Sequence, residues 1–282
     1  MIKGYLSEIF SSYQGEGGSI MGSAMGRRQI FIRFAGCNIA MGEFGTTGCI
    51  WCDSPEAKIE KRPKFRLEKT AGSLLFEFIE NPITSQTLYG IINEMNTPDL
   101  HSISFTGGEP TMQPEFLIEC ARILKQNNKQ LFLETNGATD WKSEYAMFDY
   151  FSIDIKDKAS EAALDWERLV EKEVEFGKAA LKSIRDRKIM DLRKAGVYFK
   201  LVITKQSDPL LLVPFIQKIA EWNKEDDTVQ AGLVIQPMSP TTNFKNVPTF
   251  QTIMNHTSTF GTILGPQNIC ISLQMHKYMN IL

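Results

Sequence analysis

The sequence predicts an α/β fold in which helices join parallel strands. Amphipathic stretches at 85–96, 114–128 and 208–224 alternate with short apolar runs that have the length and composition of buried strands. These runs are 29–35, 102–105, 130–134, 150–155, 197–203, 232–236 and 268–273. A strand–helix–strand repeat is typical of parallel strands with helical crossovers. Six or seven such strands fit an incomplete β/α barrel or an open doubly wound sheet.

The segment 157–196 is highly charged and helix-prone. It could form a long helical crossover or an inserted helical hairpin, and a solvated helical face is the simplest interpretation. The chain has no internal repeat, low-complexity tract or clear interdomain linker. With 282 residues, of which 43% are hydrophobic, we expect one domain with a substantial core.

Composition excludes several classes of function. The formal net charge of −2 lacks the basic excess of a nucleic-acid-binding surface. Apolar runs are too short to span a bilayer, and we expect no membrane association. The N-terminal decapeptide lacks the pattern of a signal peptide, which favours a cytoplasmic location.

Five cysteines, an odd number, argue against a fully paired disulfide framework. Eleven residues separate Cys37 from Cys49, and two separate Cys49 from Cys52. Clustered cysteines in a reducing compartment are more often metal ligands or catalytic groups. Cys120 and Cys270 stand apart, in a helical pattern and in a strand pattern, and we expect both to be small core residues.

Two metal centres fit the three clustered thiols. A structural zinc site usually needs four protein ligands, and a fourth would have to come from a remote part of the chain. The alternative is a 4Fe-4S cluster that three cysteines hold, which leaves one iron open to another ligand.

A second motif follows the apolar run at 102–105. It reads Thr106-Gly107-Gly108-Glu109-Pro110, and a helical pattern comes next. Glycines at the carboxyl end of a strand allow a ligand to approach the backbone closely. Glu109 could then help to fix the ammonium of an amino-acid ligand. Taken alone, the motif is an ordinary turn.

The two motifs together resemble those of radical S-adenosylmethionine enzymes, although the usual CxxxCxxC spacing is enlarged here by an insert, GEFGTTG at 42–48. A narrower resemblance is to the 7-carboxy-7-deazaguanine synthases. The matching segments are Glu8-Ile9-Phe10, Gln14-Gly15-Glu16-Gly17, Phe31-Ile32-Arg33, Gly36-Cys37-Asn38, Trp51-Cys52-Asp53-Ser54 and the Gln-x-His-Lys segment that starts at Gln274.

This resemblance implies an incomplete TIM-like β/α barrel of about six parallel strands, with a C-terminal strand or segment that closes the site. A single radical S-adenosylmethionine core domain would cover 1–282, with a cluster-loop insert at about 38–48 and a helical crossover or insert at about 157–196. The implied cofactors are a 4Fe-4S cluster, S-adenosylmethionine and Mg²⁺.

The resemblance also implies a role for individual residues. Cys37, Cys49 and Cys52 would bind the cluster, and Ser54 would bind Mg²⁺. The S-adenosylmethionine site would contain Trp51, Cys52, Asp53, Gly108, Glu109, Glu134, Asn136, Ser152, Asp154, Ile155, Lys156, Gln236, Pro237 and Met238. The substrate site would contain Tyr13, Gln14, Gly15, Glu16, Arg33, Thr106, His276 and the terminal carboxylate of Leu282.

Simpler interpretations remain open for some of these residues. Arg33 could be a structural ion-pair residue within its strand, and His276 a satisfied core histidine. Asp154 and Lys156 are two apart on a strand, face the same side, and could simply pair. Glu16 could be a turn residue.

The implied reaction is a radical ring contraction, catalysed by a carbon–nitrogen lyase. A 5′-deoxyadenosyl radical removes hydrogen from C6 of 6-carboxy-5,6,7,8-tetrahydropterin, and rearrangement with loss of ammonia gives 7-carboxy-7-deazaguanine. Such a product belongs to 7-deazapurine biosynthesis of the queuosine or archaeosine type. The implied partners are the pterin, an electron donor such as flavodoxin or ferredoxin, and a second copy in a homodimer.

Two rival functions stay open. The first is another radical S-adenosylmethionine enzyme, including an activase that modifies a partner protein. The second is a zinc-binding structural or interaction protein.

Overall fold

A ten-stranded sheet dominates the computed structural model of the chain, which describes residues 2–187, 194–240 and 244–274. Its strands are β2 (Leu6–Tyr13), β3 (Arg28–Phe34), β4 (Lys64–Glu68), β5 (Phe76–Glu80), β7 (Leu100–Gly107), β8 (Leu131–Thr135), β9 (Tyr150–Ile155), β10 (Gly196–Ile203), β11 (Gly232–Pro237) and β12 (Ile269–Ile271). A separate antiparallel pair joins β1 (Lys3–Gly4) to β6 (Ile83–Thr84).

The strand order is β12-β11-β10-β9-β8-β7-β3-β2-β4-β5. From β12 to β3 every pair of neighbours is parallel, and these strands coincide with the seven predicted runs. The sheet is open, with edges at β12 and β5 in the described part of the chain. The predicted α/β class with a mostly parallel, incomplete barrel is therefore confirmed. Most of the C-terminal segment expected to close the site, 275–282, lies outside the described residues.

Strands β2, β4 and β5 extend the sheet beyond β3 and were not predicted. β2 pairs antiparallel with β3 and parallel with β4, and β5 pairs antiparallel with β4. Serines interrupt the apolar pattern of β2, and β4 and β5 are short strands with several charged residues. These strands place Glu8 and Arg66 at the edge of the cavity described below.

Five helices lie in the described part of the chain, and three of them match the predicted amphipathic stretches. They are α1 (Ser85–Glu94), α2 (Pro114–Gln126), α3 (Trp166–Asp186), α4 (Val213–Glu225) and α5 (Phe250–Leu264). Cys120 is buried in α2, as predicted, whereas Cys270 on β12 is half-buried. None of the described helices is long and apolar enough to cross a membrane.

Helix α5 was not predicted, because its threonines and Gly261 lower the intrinsic helix propensity of the segment. Its first turn is stabilised instead by the Thr249 side chain, whose hydroxyl accepts a hydrogen bond from the Thr252 N–H at 3.1 Å. The buried side of α5 packs against α4 and β11.

Helix α3 is the crossover from β9 to β10, one of the two forms expected for 157–196, and the expected solvated face is only one of its two sides. One side of α3 is exposed, but an apolar stripe on the other side is buried against the sheet. Val170, Val174 and Leu181 belong to this stripe, whereas Leu169 is buried with Ile39 and Phe44. The high charge of the segment lies mostly on the exposed side, which hid the buried stripe in the sequence.

Candidate active site

The carboxyl ends of the parallel strands surround a cavity of about 760 Å³. Ligands gather at this edge in parallel α/β folds because loops from successive strands meet there. Most of the predicted site residues lie on its wall. They are Tyr13, Gln14, Gly15, Glu16, Arg33, Cys37, Cys49, Trp51, Cys52, Asp53, Ser54, Thr106, Gly108, Glu109, Glu134, Asn136, Asp154, Lys156, Gln236 and Met238.

Five predicted residues are not among those on the wall. Ser152 is buried within β9, Ile155 packs into the main hydrophobic core, and Pro237 ends β11 away from the wall. His276 and Leu282 lie outside the described residues. Their predicted roles stay predictions.

The three predicted cluster ligands belong to one loop, residues 37–52, which we call the cluster loop. Cys37, Cys49 and Cys52 are free thiols, and the Cys52 N–H donates to the Cys49 carbonyl at 3.3 Å. Burial raises the pKa of Cys37, and it raises the pKa of Cys49 to about 11 although Lys156 favours the thiolate. A metal centre would replace these protons on binding.

The thiols suit an iron–sulfur cluster in kind, because cysteine thiolates hold such clusters and each binds a different iron. A mononuclear ion would instead need ligands that converge on one point. Within residues 2–187, 194–240 and 244–274, no group of three or more His, Cys, Asp or Glu side chains is arranged to hold a metal ion.

The enlarged part of the cluster loop runs antiparallel to residues 160–164. The Phe44 carbonyl accepts from the Leu164 N–H at 2.9 Å, and the Thr46 hydroxyl donates to the Ala162 carbonyl at 2.6 Å. The Ile50 N–H donates to the Ser160 carbonyl at 3.1 Å. The Phe44 ring is buried with Ala162. The insert is thus fixed to the segment that connects β9 to α3.

The glycines of the Gly107-Gly108-Glu109 motif bring two loops into contact. Gly107 has a φ of +113°, and a Cβ at Gly108 would lie 1.9 Å from the Gly36 carbonyl oxygen. The Glu109 N–H donates to that same carbonyl at 2.7 Å. Because Gly36 precedes Cys37, this contact sets the cluster loop against the end of β7.

The Glu109 side chain is engaged within the protein. One oxygen accepts from the hydroxyls of Thr111 and Thr135 at 2.6 and 2.7 Å, and the other accepts from the Asn136 N–H at 2.7 Å. Burial raises the pKa of Glu109, which these hydrogen bonds oppose. Glu109 thus ties the end of β7 to the end of β8, and its predicted contact with an ammonium stays a prediction.

A charged network crosses the cavity between the ends of β9 and β10. Asp154 pairs with Lys156 and lies 3.4 Å from Lys200 Nζ, which is 2.8 Å from Glu16. Burial would favour neutral Lys156 and Lys200, but Asp154 raises the pKa of both above the usual range. Burial also disfavours the Asp154 carboxylate, yet Lys156 and Lys200 lower its pKa. All three groups therefore remain charged.

Lys200 was not predicted, although a lysine inside the apolar run 197–203 was a usable signal. A charged side chain in a buried strand needs a partner or a ligand, the same argument that applies to Arg33. The expected pairing of Asp154 with Lys156 is present. Glu16 pairs with Lys200, so it is more than a turn residue.

Glu134 lies among groups of the predicted substrate site. Its oxygens accept from Gln14 Nε2 at 2.7 Å and from the Thr106 hydroxyl at 2.9 Å. Burial raises the pKa of Glu134, Lys200 opposes this change, and Glu16 adds to it. Glu134 thus lies beside two residues that are predicted to contact substrate, and its predicted contact with S-adenosylmethionine stays a prediction.

Arg33 reaches the cavity wall from β3. Its guanidinium donates to the Ser54 hydroxyl at 2.9 Å and lies 3.6 Å from Glu8 and 5.7 Å from the centre of the Phe10 ring. Glu8 also pairs with Arg66 at 2.9 Å. Arg33 therefore pairs with Glu8 on the adjacent strand β2. It also lines the cavity, where a planar anion could bind its guanidinium.

Polar groups from the C-terminal part of the chain complete the wall. Gln274 donates to Asp53 at 3.2 Å and to Glu16 at 3.4 Å, a contact that sequence reasoning missed. The buried Oε1 atom of Gln236 has no hydrogen-bond partner among the described residues. An unpaired buried acceptor on a cavity wall indicates a place for a ligand donor.

Comparison with known proteins identifies relatives that match almost the whole chain. A 7-carboxy-7-deazaguanine synthase of Thermococcus kodakarensis is 37% identical over 281 residues, which cover 98% of this chain and 98% of the relative. A protein of the same name from Methanocaldococcus jannaschii is 34% identical, over 98% of this chain and 100% of the relative. No protein-family model matches the chain.

Among solved structures, Streptococcus suis SuiB bound to S-adenosylmethionine aligns with a TM-score of 0.46 and 16% identity. The alignment covers 69% of this chain and 44% of SuiB.

Proposed function

The chain belongs to the 7-carboxy-7-deazaguanine synthase family. From this premise we propose which of its residues bind the cofactors and the substrate of a radical S-adenosylmethionine lyase. The observation that supports the proposal is that the cluster loop, the Gly107-Gly108 turn and Arg33 face one cavity. The reaction is the ring contraction of 6-carboxy-5,6,7,8-tetrahydropterin to 7-carboxy-7-deazaguanine.

Cys37, Cys49 and Cys52 hold a 4Fe-4S cluster in this proposal. The free thiols fit the group, and because no fourth Cys or His lies near them in the sequence, one iron stays open for S-adenosylmethionine. When bound together, the cluster and S-adenosylmethionine supply the one-electron chemistry of the reaction. The protein positions both and keeps water from the reacting atoms.

The S-adenosylmethionine site lies between the cluster loop and the ends of β9 and β11. The backbone of Gly107 and Gly108, which lines the cavity, receives the amino-acid end. Asp154 and Lys156 offer charged groups of both signs, and the unpaired Gln236 Oε1 accepts from the adenosine end. Glu109 acts indirectly, since its carboxyl group holds the two strand ends together.

The substrate lies on the β3 side of the cavity. Arg33 pairs with the pterin carboxylate through two parallel hydrogen bonds, which suits a planar anion. Gln14, Thr106 and Glu134 lie together there, and the Glu134 carboxyl group can accept from the N–H groups at the polar edge of a pterin. We therefore assign Glu134 to the substrate site, although the sequence analysis placed it in the S-adenosylmethionine site.

Mg²⁺ belongs to the substrate side of the proposal. The Ser54 hydroxyl lies on the wall beside the Asp53 carboxylate, and oxygen groups of this kind suit a hard cation that keeps several waters and binds substrate oxygens. Ser54 would hold the ion and orient the substrate carboxylate. The proposed ion thus depends on the substrate for part of its coordination.

Further partners are proposed from the family alone. Flavodoxin or ferredoxin would deliver the electron, because the chain has only Cys120 and Cys270 beyond the cluster loop, too few for a second cluster. We also infer a cytoplasmic homodimer that serves a queuosine- or archaeosine-type pathway.

Anaerobic reconstitution followed by a turnover assay tests this proposal. We expect about four irons per chain, loss of iron binding when a cluster-loop cysteine is replaced, and 7-carboxy-7-deazaguanine after addition of substrate, S-adenosylmethionine, reductant and Mg²⁺. Deoxyadenosine without the deazaguanine product would instead indicate another radical enzyme. Zinc binding with no absorption near 400 nm would favour the zinc-binding alternative.

A further inference from the structure

Side chains of α3 hold the main chain of Lys156 on both sides. Its N–H donates to Glu173 Oε2 at 2.8 Å, and its carbonyl accepts from Trp166 Nε1 at 2.7 Å. β9 ends at Ile155, so the described pairing with β10 stops one residue before Lys156. Buried backbone groups beyond the end of a strand need other partners. Trp166 and Glu173, which are 7% and 0% exposed, provide them.

Glu173 lies beneath two loops of the cavity. Its carboxyl group supports Lys156 after β9, and its Cα would be 3.1 Å from a Cβ at Gly137, which follows β8. Burial raises the pKa of Glu173 well above its usual range, although the Lys156 charge opposes this change. A neutral carboxyl group still accepts a hydrogen bond, so the contact does not require a buried charge.

The chain between Lys156 and α3 also holds the cluster loop. Residues 160–164 form the antiparallel contact with Phe44, Thr46 and Ile50 described above, and α3 begins immediately afterwards at Trp166. The first turn of α3 therefore lies between the Lys156 main chain and the segment that contacts the cluster loop.

We propose that Trp166 and Glu173 are positioning residues for S-adenosylmethionine, because they fix Lys156 beside Asp154 and the cluster loop. This inference rests on the proposed function, in which Lys156 contacts S-adenosylmethionine. Neither side chain lines the cavity, so neither touches the ligand. Their effect passes through the main chain of Lys156. The side-chain ammonium of Lys156 pairs with Asp154. Helix α3, to which the sequence analysis assigned no function, would thus position a residue of the S-adenosylmethionine site.

Binding measurements on the reconstituted full-length protein test the inference. Trp166→Phe removes the indole N–H and keeps most of the ring, and Glu173→Leu removes the acceptor. Glu173→Gln keeps an acceptor of the same shape without a charge. Glu175→Leu, two residues further along α3 and exposed, is the matched control. Isothermal titration calorimetry gives the Kd of S-adenosylmethionine and, with that ligand saturating, the Kd of 6-carboxypterin. Iron content and melting temperature are measured for each variant.

We expect Trp166→Phe and Glu173→Leu to weaken S-adenosylmethionine binding about tenfold or more, as the loss of a buried hydrogen-bond partner predicts. Glu173→Gln and Glu175→Leu should stay within about twofold of the wild type, as should 6-carboxypterin binding and iron content in all variants.

The positioning role is overturned if folded Trp166→Phe and Glu173→Leu proteins bind S-adenosylmethionine like the wild type. It is also overturned if the Kd values of both ligands rise by the same factor, which would indicate a general structural role. A wild-type protein that fails to bind the cluster or S-adenosylmethionine would contradict the proposed function itself, whatever the variants do.

Discussion

Gly108 lies directly against Gly36, so that a Cβ at Gly108 would be 1.9 Å from the Gly36 carbonyl oxygen. The contact joins the end of β7 to the residue before Cys37, and the Glu109 N–H donates to the same carbonyl at 2.7 Å. A glycine is required at position 108 because the neighbouring atoms belong to backbone and cannot rotate away. The cysteine motif and the Gly107-Gly108-Glu109 motif, which are far apart in the sequence, are thus in direct contact in the fold.

Gly108→Ala should separate the cluster loop from β7. We expect lower iron content after reconstitution and a lower melting temperature, because the Cβ forces two backbone segments apart. Gly90→Ala is the matched control, since Gly90 lies within α1 and a Cβ there would meet nothing within 4 Å. That control should raise stability by about 0.5–1 kcal/mol. Wild-type iron content and stability in Gly108→Ala would show that the contact is not needed.

Arg33→Ala should weaken binding of the pterin substrate while S-adenosylmethionine still binds. Loss of charge-assisted hydrogen bonds predicts a change of about 1.5–3 kcal/mol, which is more than tenfold in Kd. Arg28→Ala on the same strand is the control, because Arg28 pairs with the exposed Asp99 and does not line the cavity. Titration calorimetry with each ligand distinguishes the outcomes. Equal weakening of both ligands would mean that Arg33 is a structural ion-pair residue.

Lys200→Met should lower the free energy of unfolding by about 3 kcal/mol, because it leaves Glu16 and Asp154 without a shared cation. Lys182→Met is the control, since Lys182 pairs with Asp186 on the exposed side of α3 and should change stability by less than about 1 kcal/mol. Urea denaturation of the unreconstituted proteins measures both. Equal effects of the two substitutions would contradict the charged network.

Glu173→Gln should stabilise the protein more at higher pH. Burial raises the pKa of Glu173, so the folded state binds this proton more tightly than the unfolded chain does. The contribution of Glu173 to stability is therefore greatest at low pH and falls as pH rises towards the folded-state pKa. Lys156 and Asp154 face this group with opposite effects on its pKa.

Urea denaturation at several pH values between about 5 and 8 tests this dependence. The difference between Glu173→Gln and the wild type should grow with pH, whereas exposed Glu175→Gln should show no such trend. A difference that is constant with pH would mean that Glu173 keeps its usual pKa.

The parallel strands β3 and β7 to β11 could be predicted because most residues on both of their faces are buried, which produces continuous apolar runs. Strand β12 also has an apolar run, although it is only partly buried. A charged residue within such an apolar run is easily noticed. Arg33 was identified in this way, and Lys200 could have been identified in the same way. Strands β2, β4 and β5 are more polar, and their pairing depends on β3 rather than on a local pattern. Tertiary packing determines their place in the sheet.

Glu173 shows the other limit of sequence reasoning. It lies in a run of charged residues on a helix, where glutamate is ordinarily solvated, and only the packing of α3 against β9 shows that it is buried. Glu134 could be placed at the edge of the sheet, but its neighbours Gln14 and Thr106 come from distant parts of the chain. Partners of this kind cannot be read from local spacing.

Substrate labelled with deuterium at C6 tests the central claim most directly. The account predicts that mass spectrometry finds deuterium in the deoxyadenosyl group of S-adenosylmethionine or in 5′-deoxyadenosine, together with 7-carboxy-7-deazaguanine. Replacing the three cluster-loop cysteines by alanine should abolish both signals. Product formation without deuterium transfer, or turnover by the cysteine variant, would contradict the account.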